Sequence, residues 1–190
     1  MSDERSDVSR EGLIRFYVAY DWGKKKQGPP PDMDDWPWSD AHGLDQRLKS
    51  HGLKYGVPTA FLTWRLVRFG LMDLLQCAIV DQIFPTETRA LGQIVLRGKL
   101  AEWIPSGTPA WWPLIGSGSE LAKESALIMR PALPCETPAK WYVEDGSGRA
   151  LALLQRMLRY GEIDRLAWAY VGLEPDEQSK FIQDHPQLKT

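Results

Sequence analysis

The stretch KWYVEDGSGRALALLQRM, from Lys140 to Met157, decides the fold class predicted for this chain. Its first part, Lys140 to Asp145, carries the aromatic and β-branched residues that are typical of a buried strand. After Gly-Ser-Gly the pattern changes, and apolar residues such as Leu151 and Leu154 recur at helical spacing. We therefore expect a strand that ends at Asp145, a tight turn, and a helix from Ser147 to Tyr160.

The sequence around this stretch predicts further short strands and helices. Short apolar strands are expected at residues 126–131 and 163–172. Residues 91–104 also resemble strand sequence, with a hairpin around Gly98. Ser119 is a candidate N-cap for a short helix over residues 119–125, and residues 175–186 favour a terminal helix.

The first half of the chain has a different pattern. Residues 13–22 are β-branched and aromatic enough to predict a strand, and a Pro-rich loop follows. Residues 44–56 favour a short helix, and the apolar residues 59–84 predict a helix bent near Gly70. The whole chain is expected to be α+β: a small mixed sheet with flanking helices, preceded by a mainly helical N-terminal region. We expect divisions at residues 1–85, 86–175 and 176–190.

Composition limits the function classes. The 190 residues carry a net charge of −2, which argues against wholesale binding of nucleic acid or of an anionic membrane. Cys77 and Cys135 lie far apart without a CxxC spacing, so a reducing compartment is expected. The polar start is not a signal peptide, and no apolar run reaches the ~20 residues of a membrane helix. These features favour a cytoplasmic protein without a membrane partner.

The turn after the predicted strand offers anion-binding chemistry. Glycines permit close approach of a ligand to the backbone, and the first turn of a helix presents free N–H groups to an anion. Arg149 can hold a phosphate, and Glu144 or Asp145 can hold magnesium or act as a base. The candidate phosphate-binding residues are Gly146, Ser147, Gly148 and Arg149, the candidate catalytic residues are Asp145 and Glu144, and Asp145 is the candidate metal ligand.

A structural interpretation of the same residues stays open. Gly-Ser-Gly makes a tight turn, Asp145 and Ser147 cap the helix, and Arg149 pairs with Glu144 or another acid. The turn matches neither a P-loop nor a GxGxxG motif.

The order ALIMRP, KWYVEDGSGRALALL and IDRLAWAYV resembles the core of the ParB/sulfiredoxin superfamily, over roughly Leu91 to Gly172. Asp145, Gly146 and Arg149 match that family's Asp-Gly-x-x-Arg turn, and Ala150 and Ala152 its small helix face. The resemblance implies a ligand that bears phosphates, ATP or CTP with Mg²⁺, and phosphoryl transfer or phosphoester hydrolysis.

The chain departs from this family at two positions of the turn. Ser147 and Gly148 stand where relatives carry His-His, or Cys-His in sulfiredoxin. Without a thiol there, sulfiredoxin chemistry is excluded, whereas an anion cradle of backbone N–H groups and Arg149 remains compatible with the sequence.

The tryptophans suggest a second class of function. Nine are present, and four of them lie in the short Pro-containing motifs Trp36-Pro37-Trp38 and Trp111-Trp112-Pro113. Such rings either cap a small core or form an exposed recognition surface. The alternative function is therefore a non-catalytic protein that binds a protein or DNA partner, as an accessory protein of a plasmid, phage or integrated element. DNA is the weaker alternative because of the net charge.

Overall fold

The computed structural model describes residues 7–25, 28–53, 57–79, 90–92, 120–121, 126–132 and 139–173. These ranges contain helices and the strands of a mixed sheet, joined by loops. The predicted α+β class is therefore confirmed. The chain divides into two compact units: Met1–Leu66 with Gly172–Thr190, and Val67–Val171.

The first unit joins three helices to a strand pair. Its elements are β1 (Asp7–Ser9), α1 (Arg10–Lys25), α2 (Ala41–Ser50), α3 (Val57–Ala60) and β2 (Thr63–Phe69), whose last residues belong to the second unit. The short strand β1 pairs antiparallel with the start of β2. Helix α3 packs against α1 and α2. The Asp40 carboxylate accepts a hydrogen bond from the His42 N–H and so caps α2.

The strand predicted at residues 13–22 is wrong, because those residues lie within α1. Leu13, Ile14, Tyr17 and Val18 are all fully buried. Their spacing is that of one helical face, and burial of that face outweighs the local β propensity of the side chains.

The helix predicted at residues 59–84 is also wrong. Its middle part is the strand β2, in which Trp64, Leu66 and Phe69 are buried whereas Arg68 is exposed. A short helix, α4 (Leu71–Leu75), and the strand β3 (Cys77–Ile79) follow. Apolar residues occur so densely here that they satisfy a helical and a strand pattern equally well, and pairing within the sheet selects the strands. Residues 80–84 lie outside the described ranges.

The second unit is a sheet with helices. Its further elements are β4 (Glu120–Leu121), β5 (Leu127–Pro131), β6 (Trp141–Asp145), α5 (Ser147–Tyr160) and β7 (Leu166–Leu173), whose last two residues belong to the first unit. The strand order is β7-β5-β6-β3, and β4 also pairs with β7. The β5–β6 pair is antiparallel, while β3–β6, β5–β7 and β4–β7 are parallel. Helix α5 packs against β5 and α4.

Most predictions for this part of the chain are confirmed. The strands expected at residues 126–131, 140–145 and 163–172 are β5, β6 and β7, and the predicted helix is α5 with both bounds as expected.

Three remaining predictions have different outcomes. The helix at residues 119–125 is wrong where it can be checked, because Glu120 and Leu121 form β4 and pair with β7. Residues 91 and 92 are helical instead of strand, and residues 93–104 lie outside the described ranges, as does the terminal helix at 175–186. Within the described residues, no helix has the length and apolar character to cross a membrane.

The end of α5 is held by an ion-pair network. Gly161 closes the helix with a left-handed backbone, φ 71°. The next residue, Glu162, accepts two hydrogen bonds of 2.8 Å from Arg156 and also pairs with Arg165. The hydrogen bonds from Arg156 are the main cause of a Glu162 pKa lowered to about 2.

We expect the Arg156→Gln variant to raise the Glu162 pKa from about 2 towards its ordinary value, because the main stabilising donor is removed. A depressed folded-state pKa gives stability that is present above the unfolded-state pKa and is lost as the pH falls through about 2. A carboxyl-detected NMR titration measures the change. Arg156→Lys should give an intermediate value, and an unchanged pKa in Arg156→Gln would contradict the assignment.

Candidate functional site

The junction between β6 and α5 depends on a glycine with a left-handed backbone. Gly146 has φ 94° and ψ 17°, and its carbonyl accepts the first helical hydrogen bond from the Ala150 N–H at 2.9 Å. A Cβ atom at Gly146 would lie 2.6 Å from both the Arg149 Nη2 and the Leu127 Cδ2. Backbone conformation and close packing therefore both require glycine at this position.

Arg149 bends back across this glycine and is buried. Its side chain is 4% exposed, and Nη2 donates to Asp145 Oδ2 at 2.9 Å and to the Ala126 carbonyl at 3.3 Å. Burial lowers the Arg149 pKa to about 10, so the guanidinium stays charged at neutral pH. The turn is thus closed by its own arginine, which neutralises Asp145.

Glu144, the other carboxylate of the junction, binds a different arginine. Its Oε1 accepts a hydrogen bond from Arg130 Nε, and both side chains are nearly buried. Arg130 also donates to the Pro131 carbonyl at 3.0 Å and lies 4.1 Å from the centroid of the Tyr142 ring. The two candidate catalytic carboxylates are therefore each held by a separate cation of the same chain.

A β-bulge lies directly before the junction. Met129 pairs with Val143 whereas Ile128 pairs with Asp145, so Glu144 is an extra residue on β6 without a direct partner on β5. A bulge changes the direction of the side chains that follow it in the strand. Sequence reasoning found neither this bulge nor Arg130, because both depend on the pairing of β5 with β6.

The start of α5 has no side-chain cap from its N-cap residue. No side chain caps the helix at Gly146, Ser147 is buried, and Gly148 is partly exposed. The N–H groups of this turn can attract an anion through the helix dipole. The Arg149 guanidinium points to Asp145 and Ala126 and so does not add to this attraction in the observed conformation.

Trp36 and Trp38 lie in the first unit, in the loop before α2. Trp36 is 4% exposed, its Nε1 donates to the Asp32 carbonyl at 3.1 Å, and its ring stacks on His51 with centroids 5.6 Å apart. Trp38 is partly exposed, and the Arg15 guanidinium lies 5.1 Å from its ring centroid. Trp36 thus has a packing role, and Trp38 offers part of its ring to solvent.

Beside this loop is a cleft of about 340 Å³ in the first unit. Its wall on one side is the loop and on the other side is α2. The lining residues are Asp35, Pro37, Gly43, Gln46, Arg47 and Ser50. The lining combines one carboxylate, one guanidinium and uncharged polar groups, a mixture suited to a polar or charged ligand.

Other candidate groups are unsuited to chemistry in this structure. Cys77 is buried, and the loss of solvation raises the pKa of its thiol well above the ordinary value. The described ranges contain no group of three or more His, Cys, Asp or Glu side chains that could hold a metal ion. Trp111, Trp112 and Cys135 lie outside those ranges.

Comparison with known proteins adds no relative: no family model, no curated protein and no solved structure matches the chain. The resemblance to the ParB/sulfiredoxin superfamily therefore stays a prediction from the sequence.

Substitution of Gly146 tests the closed turn. Gly146→Ala should lower the free energy of unfolding by about 2–4 kcal/mol, since the added methyl group meets Arg149 and Leu127 in a backbone conformation that alanine resists. Gly161→Ala is the matched control, because Gly161 also has a positive φ but no atom lies within 4 Å of an added Cβ. The control should lose only about 1 kcal/mol. Urea unfolding followed by circular dichroism measures both, and equal losses would show that the packing around Arg149 is not tight.

Proposed function

We propose that this protein is a non-catalytic binding protein whose partner is another protein, contacted by the first unit at the cleft beside Trp38. The cleft that Asp35 and Arg47 help to line is the observation that carries the proposal. At the β6–α5 junction, by contrast, Glu144 and Asp145 are bound by arginines of the same chain. A metal ion or a substrate proton would have to compete with those ion pairs.

The surface around the cleft has the composition of a protein interface. Partly exposed tryptophan and arginine side chains are enriched where proteins bind one another, because a large rigid ring or a planar guanidinium buries much area at a small entropic cost. Trp38 and Arg15, whose guanidinium lies 5.1 Å from the Trp38 ring centroid, supply such groups here. The exposed carboxylates of Asp34 and Asp35 would repel phosphates, so a nucleic-acid partner fits this surface less well.

The cellular setting is part of the same proposal. The resemblance to the ParB/sulfiredoxin superfamily suggests an accessory protein of a plasmid, phage or integrated element that acts in the cytoplasm. The loss of the paired reactive side chains at Ser147 and Gly148 agrees with a binding role.

A second candidate function is supported by the start of α5. The N–H groups at the start of this helix and the partly exposed Gly148 suit a phosphate, and the ligand would be a nucleotide, ATP or CTP, with Mg²⁺ near Asp145 or Glu144. For Arg149 to contact that phosphate, its guanidinium would have to leave Asp145. Catalysis, if present, would be phosphoryl transfer or phosphoester hydrolysis.

Site-specific photo-crosslinking in cells tests the interface and identifies the partner. A photoreactive phenylalanine analogue in place of Trp38 should give a defined adduct with one protein, whereas the same analogue at Tyr160, an exposed aromatic residue of the second unit, should not. With the purified partner, Trp38→Ala should weaken binding at least tenfold in calorimetry, since interface tryptophans are frequent hot spots. Tyr160→Ala should leave the affinity unchanged.

The outcome that contradicts this proposal is equally specific. If position 38 gives no adduct and millimolar Mg²⁺-ATP or Mg²⁺-CTP instead shifts the amide NMR signals of residues 147–149, the second function is supported and the first is wrong.

A further inference from the structure

The loop before α2 binds two guanidinium groups of its own chain in the same manner. Arg15 Nη2 lies 3.5 Å from Asp34 Oδ1, and the Arg15 guanidinium lies over Trp38. Arg47 Nη2 lies 3.4 Å from Asp35 Oδ2, with its guanidinium 6.0 Å from the Trp36 ring centroid. In each case a carboxylate and an aromatic face of this loop contact one arginine, the combination that recognises guanidinium groups.

The contact between Asp35 and Arg47 is weak. Both carboxylate oxygens of Asp35 are reached by a single nitrogen of Arg47, at 3.4 and 3.5 Å, beyond the usual 2.7–3.2 Å of a hydrogen bond. The Asp35 side chain is 76% exposed and that of Arg47 is 43% exposed. Exposed ion pairs of this kind contribute about 0–1 kcal/mol, so an incoming group can replace this one at small cost.

The negative charge around the cleft and the size of the cleft favour a cationic side chain as its ligand. The loop carries four exposed aspartates: Asp32, Asp34, Asp35 and Asp40. Only Arg15 and Arg47 are seen to pair with them among the described residues. The cleft between the loop and α2 has a volume of about 340 Å³, which admits an arginine side chain.

Resting on the proposed function, we propose that the cleft binds an arginine side chain of the protein partner, which takes Asp35 from Arg47. The incoming guanidinium donates to the Asp35 carboxylate in a two-pronged geometry and lies against Pro37. Arg47 then turns towards solvent. The interaction is an exchange of ion pairs in which Arg47 competes with the partner for the same carboxylate.

Titration with defined peptides tests this exchange. The probe is an acetylated and amidated peptide with two arginines among glycine and serine, and its control replaces both arginines by citrulline, which has nearly the same shape without charge. The arginine peptide should shift the indole NMR signal of Trp38 and the amide signal of Asp35 in a saturable way. The citrulline peptide should be at least fivefold weaker.

Two substitutions with opposite expected effects distinguish competition for Asp35 from a general attraction of the cationic peptide to acidic residues. Asp35→Asn should weaken binding of the arginine peptide at least fivefold, while Arg47→Gln should strengthen it severalfold because the internal competitor is gone. Asp164→Asn, at an exposed acid of the second unit, should change nothing. Equal binding of the citrulline peptide, or weaker binding by Arg47→Gln, would overturn the inference.

The failure of this inference differs from a failure of the proposed function. If a protein is crosslinked at position 38 but its affinity does not depend on Asp35, the proposed protein partner is supported and the inferred arginine contact is wrong. The absence of any adduct at position 38 would contradict both the proposed function and the arginine inference.

Discussion

The ion pair of the buried Arg149 with the partly buried Asp145 joins three parts of the second unit: the end of β6, the first turn of α5 and, through the Ala126 carbonyl, the residue before β5. Removing Asp145 leaves the buried Arg149 charge without its counter-ion; in fully buried pairs such a loss typically costs about 3–5 kcal/mol. The neighbouring residues conform to this requirement. Gly146 has no side chain and therefore leaves room for the guanidinium. Helix α5 begins directly after Gly146, and its residues Leu151 and Leu154 are buried.

The same pair shows that Arg149 serves the fold, although in the sequence it looks like an arginine that binds an external anion. A carboxylate, a glycine and an arginine at the start of a helix give the same sequence pattern whether the arginine faces outward, towards an anion, or inward. In this chain the arginine faces inward, and its charge is used within the fold. The exposed and weakly paired charges lie in the first unit instead, around Asp35 and Arg47. Weak internal pairs leave a surface available for exchange, whereas strong buried pairs do not.

The sequence predicts a structural feature well when the residues that determine the feature lie close together in the chain. Helix α5 and its start are predictable because Gly146, the apolar stripe and Gly161 all lie within one stretch. The i, i+4 spacing also brings Asp145 and Arg149 together, whereas Glu144, the partner named in the structural interpretation of the sequence, pairs with Arg130. The inward direction of Arg149 was not predictable, since it depends on Ala126 and Leu127 from another strand.

The failures in the first half have the same origin. Residues 13–22 have strand-like side chains, yet burial along one helical face decides their conformation. Residues 63–69 fit a helical pattern, yet β1 supplies a partner strand for their first part. The cleft beside α2 is formed by a loop and a helix that meet in space, and Asp35 and Arg47 are not linked by any sequence motif.

The topology of the second unit implies an order of assembly. Strands β5 and β6 are neighbours in the chain, whereas β3 pairs in parallel with β6 across a long intervening segment, Cys77 opposite Trp141. Loop closure becomes slower and entropically more costly as the closed segment lengthens. We therefore expect the antiparallel pair and α5 to form first and β3 to pair with β6 later. Until β3 pairs, other chains can add to the β6 edge, so we expect slow folding and edge-to-edge association as the kinetic consequence of that parallel pairing.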